Sequence, residues 1–220
     1  MSTKYIASNW RLPNQENSSK SDNYGLTFDG TELIDCGADT NLDLNNSFSI
    51  STWIKFTSTS SMVVLSKREA TKISLLIELG SGKPFTAIRD ASSNIAITNT
   101  YSGTYNDGNW HHIVATFDRT ANELKLYVDN ELKETANTSS VGDIAPTTNN
   151  LMIGRRSDTS SSFFTGSISE CAVFDYALSS TQISTLYGSS SLGAGNPMAL
   201  PTPVAYYPLG DNSASNPLTQ

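Results

Sequence analysis

Along most of this chain, large apolar side chains recur at every second position. Residues 47–56 read Ser-Phe-Ser-Ile-Ser-Thr-Trp-Ile-Lys-Phe, an alternation that predicts a strand with one buried and one polar face. Residues 61–67 and 72–79 are more continuously apolar and predict more deeply buried strands, joined through the charged turn Arg68-Glu69-Ala70-Thr71. Further strands are predicted over residues 83–90, 94–100, 110–118, 123–128, 131–134, 151–154 and 166–174. Asp129-Asn130 supplies two residues that tolerate positive φ, the requirement of a tight hairpin. Trp110, which opens its strand, is expected in the core. Short strands parted by polar turns predict an all-β sandwich or jelly roll.

One segment breaks the period of two. Ile183, Leu186 and Tyr187 fall on one helical stripe, and Ser179 with Gln182 has capping-box spacing. Gly188 stands where a residue of positive φ ends a helix. A short surface helix packed on a sheet edge is expected. Residues 189–203, rich in Ser, Gly and Pro, read as a linker. The chain thus divides into an N-terminal arm (1–23), a sandwich (24–188), the linker, and a C-terminal segment (204–220) that opens with a strand.

Composition narrows the function classes. The 220 residues carry 14 basic and 21 acidic side chains, a formal charge of −7. An acidic chain without basic clusters is a poor match to a phosphate backbone, so nucleic acid is not an expected partner. No apolar run approaches the roughly 20 residues that a bilayer needs, and the first ten residues hold no apolar signal-peptide core. Membrane insertion and a Sec signal are therefore not expected. Cys36 and Cys171 lack the close spacing of a zinc knuckle, and the adjacent His111 and His112 point to opposite faces of a strand. One histidine is expected packed with its nitrogens bonded, the other exposed.

Several segments together resemble a known family. Leu26-Thr27-Phe28-Asp29-Gly30, then Leu33-Ile34-Asp35 and residues 48–55, look like the opening of a laminin-G-like domain of the concanavalin-A-like superfamily. The segment Asp107-Gly108-Asn109-Trp110-His111-His112-Ile113-Val114 resembles that family's central strand, and residues 124–130 its next strand and turn. Residues 166–170 and 174–179 resemble its last strand and helix. The resemblance covers residues 24 to 188 and implies two stacked antiparallel sheets, in a jelly roll of the kind found in pentraxins and in structural proteins of marine bacterial viruses. It also implies that Cys36 and Cys171 lie on neighbouring strands of one sheet. Without a sign of export, both are expected as reduced thiols. Family members begin with a strand like Val204-Ala205-Tyr206-Tyr207-Pro208-Leu209, which here comes last. Either the strand order is permuted and this strand closes its own domain, or it serves a neighbouring domain or subunit.

The resemblance also frames the chemistry. Glycoside hydrolases of the superfamily place two acids and an intervening aspartate on one strand, close enough to act as nucleophile and general acid. No such triplet occurs here, so no catalytic residues are assigned and no enzyme is expected. In pentraxins a loop rich in Glu, Gln and Asp binds calcium. Here that loop reads Arg155-Arg156-Ser157-Asp158, and adjacent guanidinium groups oppose a dication. No cofactor is required, although Asp29, Asp35 and Glu170 leave room for a structural calcium. Sugars present apolar faces rimmed by hydroxyls, so aromatic rings beside amides and carboxylates suit them. Residues 101–107, with Tyr101, Tyr105 and Asp107, have that composition, as do residues 155–164, with Arg155, Arg156 and Asp158. Asn17, Asn45 and Asn137 sit in glycosylation sequons that carry meaning only in a secretory context.

The expectation from sequence is a non-catalytic binding or assembly module. Its expected setting is a virion surface, as a capsid decoration or a fibre component of a bacteriophage. Its expected partners are other virion proteins or further copies of itself, and cell-surface glycans. A secreted carbohydrate-binding module is the alternative, and a degenerate glycoside hydrolase a weaker one.

Overall fold

The computed structural model describes residues 25–188 and 194–209, with the backbone of residues 4–6. The rest of the N-terminal arm, Asn17, residues 189–193 and the tail from residue 210 lie outside the described residues. Strands are numbered β1 to β15 in chain order. One sheet contains β1 (Lys4–Ile6), β3 (Leu33–Asp35), β5 (Met62–Arg68), β6 (Ile73–Gly80), β7 (Lys83–Phe85), β8 (Ala87–Arg89), β9 (Ile95–Ile97) and β13 (Met152–Ile153). The other contains β2 (Leu26–Asp29), β4 (Phe48–Lys55), β10 (Trp110–Asp118), β11 (Glu123–Val128), β12 (Glu131–Asn137), β14 (Thr165–Phe174) and β15 (Ala205–Tyr207).

The first sheet runs β1-β3-β13-β5-β6-β8-β9, with β7 also on β6. The second runs β12-β11-β10-β4-β14, and both β15 and β2 pair with the far side of β14. All pairings among the described residues are antiparallel except β1 on β3. The arm expected to precede the sandwich therefore contributes an edge strand through residues 4–6. The alternation read from sequence sorts residues as it should. Phe48, Ile50 and Ile54 of β4 join Val64, Leu75 and Ile77 of the first sheet and Ile113, Ala115 and Phe117 of β10 in one core. Burying a Leu, Ile or Phe side chain contributes about 1.5–3 kcal/mol, so this shared interior is what holds the two sheets face to face.

The turn at Asp129-Asn130 forms as predicted, with φ of 52° and 64° and Val128 opposite Glu131. The helix α1 (Ser180–Tyr187) also forms with its capping box, and Gly188 ends it at φ 72°. It does not lie on a sheet edge. Ile183 and Leu186 pack with Val114, Ala172 and Phe174, the outward residues of β10 and β14, so the helix covers the outer face of the second sheet. Trp110 is not in the core either. Ile113 points inward, which by the period of two turns Trp110 outward, and the ring is half-buried against Gly25.

The C-terminal strand is placed by tertiary pairing. Cys171, Ala172 and Val173 pair with Tyr207, Tyr206 and Ala205, while Thr165 to Ile168 pair with β2. Two short strands thus share one edge of β14, joined end to end where the Leu26 N–H donates to the Leu209 carbonyl at 2.7 Å. β14 accommodates both by a bulge between Ser169 and Ala172, with Glu170 at φ 54°. At its other end, Gly166 has φ 140°, and a Cβ there would sit 2.2 Å from the Lys55 carbonyl oxygen. Within the segment read as linker, Pro197–Ala199 form a 3-10 turn, and the Gly195 N–H donates to the Leu186 carbonyl at 2.8 Å. Those bonds lay this stretch along the helix and lead the chain back to β14 in its own sandwich, not outward to a neighbour.

Candidate functional site

The aromatic-polar segment at residues 101–107 belongs to a long connection between β9 and β10, held by charges from other segments. The Lys83 ammonium donates to the carbonyls of Asn99 and Tyr101, both at 2.8 Å. On the other side the Glu134 carboxylate accepts the N–H groups of Thr100 and Tyr101, at 2.8 and 3.2 Å. Further along, Tyr105 N–H donates to Gly82 O at 2.7 Å and Gly108 N–H to Phe56 O at 3.1 Å. Gly82 has φ 78°, and a Cβ there would meet Asn106 Oδ1 at 2.5 Å, so a side chain at this turn would push the loop away. Backbone groups that water would otherwise satisfy are committed inside the protein, which fixes the loop in one shape.

On that loop the Tyr101 and Tyr105 rings lie 6.5 Å apart, and Tyr105 meets His111 edge-on at 5.1 Å. The two tyrosines differ in role. Tyr101 donates its hydroxyl to the Pro84 carbonyl, and burial pushes its phenol pKa upward, so it supports the loop. Tyr105 is part-exposed, with the Lys133 ammonium 5.8 Å from its ring centre. Asp107 is open to solvent, its side chain 53% exposed.

His111 connects the loop to the hairpin. Its Nδ1 lies 2.7 Å from Asp129 Oδ2 and its Nε2 3.0 Å from Asp107 Oδ1. Ionised carboxylates only accept, so both contacts are hydrogen bonds when both ring nitrogens carry protons. Burial opposes that charge, but the bonds to Asp129 and Asp107 outweigh it and raise the imidazole pKa. Asp107 is held well below the carboxylate range by the Asn109 N–H, the Asn109 amide and His111. Lys83, Lys133 and, when protonated, His111 stand among four carboxylates (Asp107, Asp129, Glu131, Glu134), so the protonated cluster is one charge from neutral. It offers a polar surface with an aromatic ring. None of His111, Asp129, Lys83 and Glu134 is assigned to a ligand site from sequence, where His111 reads only as one of two strand histidines. Asp129 is visible there only as a turn residue, because its nearness to His111 depends on strand register.

The other candidates lie elsewhere. The loop after β13 folds over the outer face of the first sheet, where the Ser66 hydroxyl donates to the Arg155 carbonyl at 3.1 Å. Asp158, its side chain 7% exposed, takes a bidentate contact from Arg156 at 3.0 and 2.8 Å and lies 3.2 Å from Arg68 Nε. A carboxylate so enclosed by guanidinium groups is not available to calcium. Arg155 is tied to Thr159 O and Ser160 Oγ. Of the following pair, Phe164 is fully buried.

Asp29, Asp35 and Glu170 do not come together. Asp29, on the second sheet, caps its own turn through Thr31, whereas buried Asp35, on the first, accepts from the Gly37 N–H and the Asn150 amide. Buried Glu170 accepts from the Tyr206 hydroxyl. Among the described residues no three His, Cys, Asp or Glu side chains cluster in a way that could hold a metal. Cys36, just after β3 of the first sheet, and Cys171, in β14 of the second, are both buried and do not lie on neighbouring strands of one sheet.

Comparison with known proteins extends this picture. A family model described as the concanavalin A-like lectin/glucanases superfamily matches residues 28–184. A curated relative, the sushi, von Willebrand factor type A, EGF and pentraxin domain-containing protein 1 of Rattus norvegicus, is 36% identical over 104 residues, 44% of this chain. The Mus musculus protein is 35% identical over the same length. The chain spans 3% of the length of either relative. Among solved structures, the binding domain of botulinum neurotoxin serotype G superposes with a TM-score of 0.60 at 15% identity, over 74% of this chain and 41% of that one. A heptameric SAP-like pentraxin from Limulus polyphemus superposes with a TM-score of 0.54 at 16% identity, over 77% and 84%. At such identities the superpositions speak for the fold alone. With the family match spanning both sheets of its sandwich, the chain belongs to the concanavalin A-like lectin/glucanases superfamily.

Proposed function

We propose that this chain is a non-catalytic binding module that holds a neutral, hydroxyl-rich glycan beside Tyr105, Asp107 and His111. The observation that carries this reading is the convergence of the loop, the Gly82 turn and the Asp129 hairpin on one small cluster, already rigid before a ligand arrives. A ring, exposed carboxylate oxygens and a near-neutral field suit sugar hydroxyls better than an ion. Affinity at so shallow a surface is modest, because few buried anchors are on offer. The superfamily's lectin-like fold supports a binding role, as do two proteins that share it, a toxin binding domain and a pentraxin.

The absence of an acid triplet supports a non-catalytic reading, and the glutamates have structural partners. Glu131 pairs with Lys133 at 2.6 Å, and Glu134 accepts from the Thr100 hydroxyl at 2.6 Å. We place the module on a virion surface, where many copies offset weak single-site binding by effective concentration. Low charge and abundant Ser, Thr and Asn support that setting, and an extracellular lectin-like module is the alternative. A glycan array probed with the wild-type chain and with Tyr105→Ala and Asp107→Asn tests the site. Binding to a neutral glycan that both variants weaken supports it; binding indifferent to both sinks it. Mass spectrometry of purified particles tests the setting, and recovery only as a free secreted monomer overturns it.

A further inference from the structure

The outer face of the first sheet carries a second feature that the loop site does not use. Arg68, Ile73 and Arg89 are register partners across β5, β6 and β8, so both arginines rise from one row on either side of Ile73. That face is the outer one, because Ile73 packs with Val63, Leu76 and Ala87 in a cluster separate from the core. The loop after β13 brings Arg156 over the same row and anchors it on Asp158, which is also the ion partner of Arg68. Three of the chain's six arginines thus share this face, two of them on the enclosed Asp158 carboxylate and Arg89 one strand beyond Ile73.

The guanidinium groups are incompletely used. Arg68 is 9% exposed, yet its Nε makes no hydrogen bond, although Asp158 Oδ2 is 3.2 Å away. Arg89 donates one Nη2 bond to the Ala70 carbonyl and leaves its buried Nε without a partner. Both Nε atoms are shielded from solvent, so an incoming oxyanion would meet the outer guanidinium nitrogens of Arg89 and Arg156, whose side chains are part-exposed. Burial, first, and the nearby Arg156 and Arg89 weaken the hold of Arg68 on its proton, against the opposing pull of Asp158. Glu78 of β6 also acts on Arg68 and Arg156, so three guanidinium groups face two carboxylates, Asp158 and Glu78, on a chain whose formal charge is −7. Around it the loop supplies hydroxyls from Thr159, Ser160 and Ser161, the groups that meet sugar hydroxyls.

We propose that Arg68, Arg89 and Arg156 form a binding site for an oxyanion of an acidic polysaccharide, a sulfate ester or a uronate carboxylate. The apolar floor of Ile73 and Leu76 positions the guanidinium stems, Asp158 orients two of the heads, and Arg89 is the principal contact to the ligand. The site rests on the reading of the chain as a binding module, but not on the Tyr105–Asp107 cluster.

The test measures binding of the full chain to dextran sulfate, polygalacturonate, neutral dextran and polyphosphate at low and moderate salt. Binding to dextran sulfate or polygalacturonate, weakened by salt and absent for dextran, is expected. Arg89→Gln should lower that affinity about tenfold or more, since a charge-assisted hydrogen bond is lost. Asp158→Asn, if folded by its melting curve, should strengthen binding by removing a competing anion, the opposite of what structural damage would do. Tyr105→Ala should leave polyanion binding unchanged, which separates this site from the loop site. No binding to either acidic polysaccharide at low salt overturns the proposal. So does equal binding to dextran, equal or tighter binding to polyphosphate, or an Arg89→Gln variant that binds as the wild type does.

Discussion

His111 and Asp129 are joined through the ring, with Asp129 Oδ2 2.7 Å from His111 Nδ1, and the Asp129 N–H donates to the carbonyl of the next residue, His112, at 2.9 Å. The second carboxylate oxygen of Asp129 also accepts the His112 N–H, at 2.9 Å. A turn residue of the β11–β12 hairpin is thereby clamped to β10, and the loop bearing Tyr105 is clamped to both through Asp107.

This clamp gives a pH dependence of known sign. The His111 pKa is raised on folding, so its stabilisation is fully present below the ordinary histidine value near 6.5 and is lost as pH rises through the folded value. The Asp107 pKa is lowered, so its contribution is present above the ordinary carboxylate value near 3.8 and is lost as pH falls through the folded one. The loop should therefore be held best between about pH 4 and 6.5. Melting temperatures across pH 4–9 should fall more steeply on the alkaline side for the wild type than for His111→Gln. Parallel curves would count against the clamp.

Lys67 supplies the second prediction. It is 2% exposed, and its ammonium donates to Asp43 Oδ1 at 2.6 Å, Thr147 O at 2.7 Å and Thr147 Oγ1 at 3.0 Å, using all three of its protons. Lys67→Met removes every one of these bonds and leaves the Asp43 carboxylate without its cation. A loss of about 2–4 kcal/mol in urea unfolding is expected. Lys67→Met combined with Asp43→Leu should recover part of it.

The third concerns the closing strand. Ala205, Tyr207 and Leu209 are buried in the core, and the Val204 N–H donates to the Val173 carbonyl at 2.8 Å. Tyr207→Ala should cost about 3–5 kcal/mol, the range for removing a buried aromatic ring. Truncation after residue 203 should lower the melting temperature further. An unchanged melting temperature in a monomer would mean that the strand does not close its own sandwich.

The cysteines give a fourth. Burial, above all, pushes the Cys36 thiol pKa upward, and the Cys171 Sγ lies 3.0 Å from the Thr52 hydroxyl. Neither is expected to react quickly with iodoacetamide in the folded protein, because the thiolate is the reacting form. Unfolding without reductant should yield two adducts per chain by mass spectrometry. A two-dalton deficit with no adducts would reveal a bridge.

Residues that act through close neighbours along the chain are legible in the amino-acid sequence alone. The alternation in residues 47–56 encodes which side chains turn inward, and Phe48, Ile50 and Ile54 do so. The Asp129-Asn130 turn, the Ser179–Gln182 capping box and the glycine stop at Gly188 each depend on a few consecutive residues, and all three form. Of the candidate ligand-binding residues, Tyr101, Tyr105 and Asp107 share one loop and stay together for the same reason.

What the sequence by itself determined about this protein is therefore its strand pattern, its buried faces, its helix and its family. Tertiary structure alone decided the rest. A period of two names an inward face but not the sheet that carries it, so Cys36 fell just after a strand of one sheet, Cys171 fell in the other, and Trp110 turned outward. Register across distant strands put Asp129 beside His111, Arg89 level with Arg68, and Tyr207 beside Cys171. These pairings join residues from 18 positions apart, as in His111 and Asp129, to far more distant ones, and no local propensity encodes them. They are selected by packing two whole sheets against one core, where a one-residue slip would expose every buried face at once.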